Sequence, residues 1–212
     1  MKARISGWFL FVAVLALVFP ALSYSAPSVS KEREIKDFQG KHLDPFDRAY
    51  DNSIKGPQQV NPKTYRLTIN GLVEFPQSLA YQEVLKLPLH ERVITLHCVE
   101  GWQETLLFKG IRIKDLLERA KVKPGVKTII FYAADGYSSS LDYMDIGRLD
   151  LLLAFEINGR TLDAKRGFPF QVVAESKLGY KWVKWVTRIE LSDKPFKGFW
   201  EKKGYDNQAD LK

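Results

Sequence analysis

Strict alternation of apolar and polar residues first appears at Thr64-Tyr65-Arg66-Leu67-Thr68-Ile69, where positions 65, 67 and 69 share one face. This period of two predicts a half-buried strand. Asn70-Gly71 is a favoured hairpin dipeptide, so Leu72 to Phe75 is predicted as the returning strand. After Ser78 a short helix-like piece ends near Leu87-Pro88, and Arg92 to Leu96 reads as a strand running into Cys98. The period then changes: apolar residues at 113, 116, 117 and 120 predict a helix over Ile113 to Ala120, stopped by Pro124-Gly125. Thr128 to Ala133 and Leu151 to Ile157 are β-rich runs closed by Asp135-Gly136 and Asn158-Gly159, the second returning through Arg160 to Leu162. Gln171 to Ala174 and Val183 to Leu191 are the last predicted strands, with Val183, Trp185, Ile189 and Leu191 on one face. Many strands, few helices and no regular βαβ alternation predict an α+β fold.

The two ends of the chain lack such periods. Lys2 and Arg4 precede an uncharged, mostly apolar run from Trp8 to Leu22, with small residues at Ser23, Ser25 and Ala26. Residues 1–26 therefore read as a signal peptide or an uncleaved N-terminal anchor, without the Arg-Arg pair of a twin-arginine leader. Residues 27–62 are polar, with scattered Pro and Gly, and read as an irregular arm draped over a domain spanning 63–212. The C-terminal stretch after Phe196 is charged but holds Phe199, Trp200 and Tyr205, so its first half is expected to dock on that domain.

Charge and cysteine usage narrow the chemistry. The chain has 32 Lys and Arg against 25 Asp and Glu, a formal charge of +7. This favours anionic partners, while export argues against nucleic acid. Cys98 is the only cysteine, so no disulfide can form within the chain. With no CxxC, HExxH or second Cys, a structural zinc cluster is excluded. Cys98 is then a buried hydrophobe, an intermolecular link, a reactive thiol or a metal ligand. A thiol nucleophile would need a base among His42, His90 and His97, and the strand direction turns His97 away from Cys98. The run ESKLGYKWVKW alternates Lys with aromatics around Gly179, which suits either anion capture or a basic edge strand.

Four blocks carry a family resemblance: CVEGW, FYAADGYSSSL, GFPFQVVAESKLGYKWVKWVTRIEL and GFWEKKGYDN, in this order and spacing. Together with IKGPQQVNPKTYRLTINGLVEFPQSLAYQEVLKLP upstream, the chain from Ile54 to Asp210 resembles the molybdopterin-binding domain of the sulfite oxidase family. More narrowly, it resembles small bacterial oxidoreductases related to the catalytic subunit of periplasmic methionine sulfoxide reductase. The resemblance implies a β-rich mixed fold, a molybdenum-molybdopterin cofactor and two-electron oxygen-atom transfer on a small or sulfur-containing substrate. It gives Cys98 the role of metal ligand through its thiolate, a soft donor suited to a metal also held by dithiolene sulfurs. Glu100 takes the acidic position near the metal, where it can hydrogen-bond a metal-bound oxygen or relay a proton. Lys177, Gly179, Tyr180, Lys181 and Lys184 are implied cofactor contacts, and Asp135, Tyr137 and Ser139 are expected in the pocket wall.

The chain departs from many relatives in having His97 before the Cys and Gln171 after the G-x-P block, where those relatives carry cations. An oxyanion substrate would miss them. No CxxCH haem site or second redox motif occurs, which implies an electron-transfer partner such as a membrane cytochrome or soluble periplasmic carrier. No dimerisation domain follows in the sequence as given, which implies a monomer or a hetero-complex. The competing reading is a cofactor-free binding module that reuses the same groove for an anionic ligand or protein partner.

Overall fold

The computed structural model describes residues 33–211, so the expected leader over 1–26 lies outside the described residues. The arm forms a miniature hairpin, β1 (Asp37–Phe38) and β2 (Lys41–His42), and a 3-10 turn at Phe46–Arg48. The elements that follow are β3 (Arg66–Gly71), β4 (Gln77–Ala80), a single-turn helix α1 (Tyr81–Val84), β5 (Leu89–His97), β6 (Gln103–Arg112), α2 (Ile113–Ala120), β7 (Thr128–Ala133), β8 (Ser138–Asp142), α3 (Asp145–Leu149), β9 (Leu152–Ile157), β10 (Arg160–Thr161), β11 (Gln171–Val173) and β12 (Val186–Ser192). One sheet runs β10-β9-β6-β5, with β11 also pairing β9; the other runs β4-β3-β12-β7-β8. All neighbours are antiparallel except β12 and β3, which are parallel. The expected α+β, strand-dominated architecture is what forms.

The two sheets and α2 share one apolar core. Leu67 and Ile69 of β3, Phe108 and Ile111 of β6, Phe131 of β7 and Ile189 of β12 are all fully buried in it. Leu116 and Ala120 of α2 join them, so the helical face read from the sequence is the face that packs. The arm contributes Phe46, whose buried ring is capped by the Arg160 guanidinium 4.0 Å from its centroid.

Several predicted elements shift. Leu72 to Phe75 is not a strand: β3 continues through Gly71, whose φ is +82°. A Cβ there would lie 2.2 Å from the Leu191 carbonyl oxygen, so the backbone packs too closely on β12 for any other residue. The chain next bonds outward, Lys123 N–H donating to Leu72 O and Phe75 N–H to Ala120 O, and the true partner of β3 is Gln77–Ala80. Ser78 therefore lies inside β4 rather than ahead of a helix. The helix at 113–120 stops at Lys121, in the left-handed region at φ +49°, before Pro124-Gly125 is reached. The strand expected from Val183 starts only at Val186, because Trp185 takes φ +51° and gives its N–H to Gly167 O.

Candidate active site

Cys98 sits in the loop that joins β5 to β6. His97 pairs with Gln103, Cys98 N–H donates to Trp102 O at 2.9 Å, and Gly101 N–H donates back to Cys98 O at 3.1 Å. Gly101 takes φ +88°, which lets five residues reverse the chain. The tight turn gathers three side chains. Trp102 Nε1 donates to Glu100 Oε2 at 2.9 Å, and the Cys98 thiol lies 3.8 Å from the same oxygen. The arm adds Asn52, whose Nδ2 donates to Glu100 Oε2 at 3.3 Å and to Cys98 Sγ at 3.7 Å. Tyr50 stacks on Trp102 with centroids 4.0 Å apart and planes 20° from parallel, fixing the arm over the turn.

These contacts set the charges. The hydrogen bond from Trp102, then that from Asn52, hold the Glu100 carboxyl below its ordinary range, so it is anionic. Burial, followed by the Glu100 charge, pushes the Cys98 thiol up. No Lys or Arg is among the causes of either shift. An unassisted thiol here therefore resists ionisation, and a cationic metal centre is the partner that would make it a thiolate.

Cys98 opens into a cavity of about 370 Å³. Tyr50 to Ser53 come from the arm, Asp135 and Tyr137 from the β7–β8 turn, and Gln171 from β11. Gly179, Tyr180, Trp182 and Lys184 come from the loop before β12, and Trp200 and Tyr205 from the C-terminal segment. The Gly179 loop reaches the Cys98 turn directly: Leu178 bridges His97, and a Cβ on Gly179 would lie 3.4 Å from His97 O and 3.9 Å from Cys98 Cα. Lys184 Nζ donates to Tyr50 O and Lys165 O, at 3.1 and 2.8 Å, and makes no carboxylate ion pair among the described residues. Burial, then the neighbouring Arg166 charge, pushes its ammonium down to about 8. Asp135 Oδ1 accepts from Tyr137 N–H at 2.8 Å, but its Oδ2 is buried with no hydrogen-bond partner.

Of the residues expected at the site, Cys98, Glu100, Asp135, Tyr137, Gly179, Tyr180 and Lys184 line this one cavity. Three do not. Lys177 Nζ, 1 % exposed, lies 3.0 Å from Asp145 Oδ2 and 2.8 Å from Asp210 Oδ1. Lys181 Nζ is fully buried against Glu201 Oε1 at 2.6 Å and donates to Ser140 O at 2.9 Å. Ser139 Oγ donates to that same Glu201 oxygen. Although expected among the cofactor contacts or in the pocket wall, these three side chains are turned from the cavity and secure the C-terminal segment, a buried ammonium needing a carboxylate and finding it in Glu201, Asp210 or Asp145 of α3. His97 stays outside the cavity wall, as its place one residue from Cys98 requires. Sequence periodicity missed Tyr50, Asn52, Trp102, Trp200 and Tyr205; all five lie in irregular or turn segments, where no period marks a facing side.

The donor set fits a molybdopterin. One thiol faces the cavity, and among the described residues no three His, Cys, Asp or Glu side chains cluster as metal ligands. Such a site suits a metal that arrives with its own sulfur ligands. The orphaned Asp135 oxygen would accept from pterin N–H groups, and Lys184 would offer positive charge to a phosphate.

Comparison with known proteins agrees with this geometry. The model of the oxidoreductase molybdopterin-binding domain family matches residues 54–200, and the chain belongs to that family. It is therefore a molybdopterin-dependent oxidoreductase whose cofactor is molybdenum-molybdopterin. An uncharacterised oxidoreductase of Bacillus subtilis, YuiH, is 32% identical over 73% of this chain and 78% of its own length. The catalytic subunit MsrP of a protein-methionine-sulfoxide reductase from Campylobacter jejuni is 25% identical over 92% of this chain and 73% of its own. The sulfane dehydrogenase SoxCD of Paracoccus pantotrophus shares the fold, with TM-score 0.69 and 23% identity across 86% of this chain but 57% of that one.

Proposed function

We propose that the protein transfers an oxygen atom at a molybdenum held by the Cys98 thiolate, and that its substrate is an uncharged sulfur oxide reduced to the thioether. The overall reaction is R₂S=O + 2 e⁻ + 2 H⁺ → R₂S + H₂O; the bound cofactor supplies the two-electron redox chemistry. The observation that carries the substrate class is the charge around Cys98. Glu100 is an anion beside the sulfur and Gln171 is neutral; the cation among the described lining residues, Lys184, is turned to the carbonyl oxygens of Tyr50 and Lys165. The nearby guanidinium of Arg166 is committed to Glu104 Oε2 at 2.8 Å and to Phe46 O at 2.7 Å. A sulfite-like oxyanion would be repelled by the Glu100 carboxylate beside the sulfur, whereas a sulfoxide brings only a dipole. Glu100 is placed to hold or move the proton that the departing oxygen takes up, and Asn52 and Trp102 keep its carboxylate aimed at the cavity.

The surrounding biology follows the same reading. Residues 1–26 act as an export signal or retained anchor, the described part of the arm, 33–62, belongs to the same folding unit as the domain from 63, and the site works in the periplasm. Among the described residues no helix is long and apolar enough to cross a membrane. A carrier protein delivers the electrons. The test is molybdenum and pterin analysis of protein purified from its native envelope, beside Cys98→Ser, followed by turnover with reduced viologen and a dialkyl sulfoxide against turnover with sulfite and ferricyanide. Near-stoichiometric metal, altered in the variant, with sulfoxide the better substrate, is expected. Metal-free native protein, or sulfite as the better substrate, overturns the reading.

A further inference from the structure

The lip of the cavity has the anatomy of an interface. Five large hydrophobic side chains are conspicuously exposed among the described residues, and two of them, Val99 at 47 % and Tyr205 at 39 %, line the cavity that holds Cys98. Exposed apolar groups gathered at a functional mouth, unlike single ones scattered elsewhere, mark a surface that something covers. Tyr205 is held in place: its ring lies 5.1 Å from Trp200 and 5.3 Å from Tyr180, and its N–H returns to Trp200 O through a turn at Gly204, φ +98°.

Charge surrounds this apolar centre. Lys203 Nζ lies 4.1 Å from the Phe199 centroid and 4.9 Å from that of Trp200, and Lys202 Nζ lies 5.5 Å from that of Phe196. Both lysines are exposed, and neither pairs with a carboxylate among the described residues. Glu201 is spent on Lys181, and Asp206, the acidic side chain of the exposed turn, accepts the Gln208 N–H. Of the other carboxylates that line the cavity, Glu100 adjoins Val99, Asp51 lies on the arm and Asp135 in the β7–β8 turn, so the basic part of the rim is the Lys202–Lys203 side. An apolar centre with a basic rim fits an acidic protein surface, the rim steering encounter and the centre giving contact.

We infer that this lip is the docking face for an acidic one-electron carrier protein. The inference rests on the reaction proposed above, which needs two electrons from outside the site, the described residues holding no second metal-binding cluster. Two carriers each lose one electron per turnover, and the two protons come from solvent. A run of rings leads from the cavity wall to the lip, Tyr137 to Phe199 at 5.9 Å, Phe199 to Trp200 at 5.2 Å and Trp200 to Tyr205 at 5.1 Å, so a carrier seated there is joined to the cavity wall through packed aromatic side chains.

The test uses the holoenzyme, with an acidic c-type cytochrome and a basic one as probes. Binding is titrated at low ionic strength for wild type and for the double variant Lys202→Glu, Lys203→Glu. The acidic probe is expected to bind wild type at least about tenfold more tightly than the basic one, and the variant to lose about tenfold for the acidic probe. Viologen-driven sulfoxide reduction should stay within about twofold, since a small dye needs no docking face. Equal affinity for the two probes, no affinity for either, or an unaffected variant overturns the lip assignment. Loss of viologen-driven turnover in wild type overturns the reaction instead, so the two failures are distinct.

Discussion

The side-chain amide of Asn52 lies 3.7 Å from the sulfur of Cys98, across 46 positions of sequence. An irregular segment thus supplies a hydrogen-bond donor to the one thiol of the chain, alongside the carboxylate of Glu100 that opposes its ionisation. Donor and anion pull the thiol in opposite directions.

That opposition predicts how the thiol titrates in cofactor-free protein. Glu100→Gln removes the anion, and the midpoint of iodoacetamide alkylation against pH should fall. Asn52→Leu removes the donor, and the midpoint should rise. Both directions are read as the pH dependence of alkylation rate by mass spectrometry.

Lys184 titrates within reach of ordinary buffers. Its folded pKa near 8 lies below the unfolded value of 10.5. Between those values the unfolded chain binds a proton that the folded one does not, so stability contributed by this residue rises with pH from about 8 to 10.5 and is flat below. The full span is at most about 3 kcal/mol, reduced by its partial exposure. Urea titrations of wild type and Lys184→Met across that window should diverge by this slope. Phosphate-bearing ligands should lose affinity over the same rise, as the cation is discharged.

The Lys181–Glu201 pair is fully buried on both sides. Glu201→Gln strands an ammonium and Lys181→Met strands a carboxylate, so each single change should cost about 3–5 kcal/mol in chemical denaturation. The double variant should cost markedly less than the sum, a coupling that a double-mutant cycle measures directly.

Gly110 tolerates no side chain. It lies where the β6–β9 register shifts, and a Cβ would come 2.3 Å from Leu153 O and 2.6 Å from Ala154 Cα. Both are backbone atoms of a central strand. Gly110→Ala should therefore lower stability by about 3 kcal/mol or more, or prevent folding; a variant with unchanged melting temperature would contradict this packing.

What the sequence made legible follows from how residues repeat. Alternation at 65, 67 and 69 and the helical stripe at 113, 116, 117 and 120 mark buried faces directly, and both faces pack as read. β6 was not legible: Gln103-Glu104-Thr105 opens it with polar residues, and Lys109-Gly110 interrupts its period. The structure explains both breaks, since Glu104 is buried against Arg166 at 2.8 Å and Gly110 marks the register shift. α3 escaped for a related reason, its five residues being too few to display a period. At the site, the motif blocks indicated Cys98, Glu100 and the Gly179 loop. They could not reveal that Lys177 and Lys181 point inward to acids on α3 and the C-terminal segment, because a lysine's partner is a matter of tertiary packing.

The cavity walls are borrowed from both extremities of the described chain, Tyr50 to Ser53 on one side and Trp200 with Tyr205 on the other, none of them in a sheet. A group filling that space would act as a clasp between two segments that lie outside the sheets. Because binding favours only the clasped form, affinity for the cofactor and resistance of the two ends to fraying become one thermodynamic quantity. A protease that trims the arm or the C-terminal segment of empty protein, and spares the filled one, would be reading cofactor occupancy.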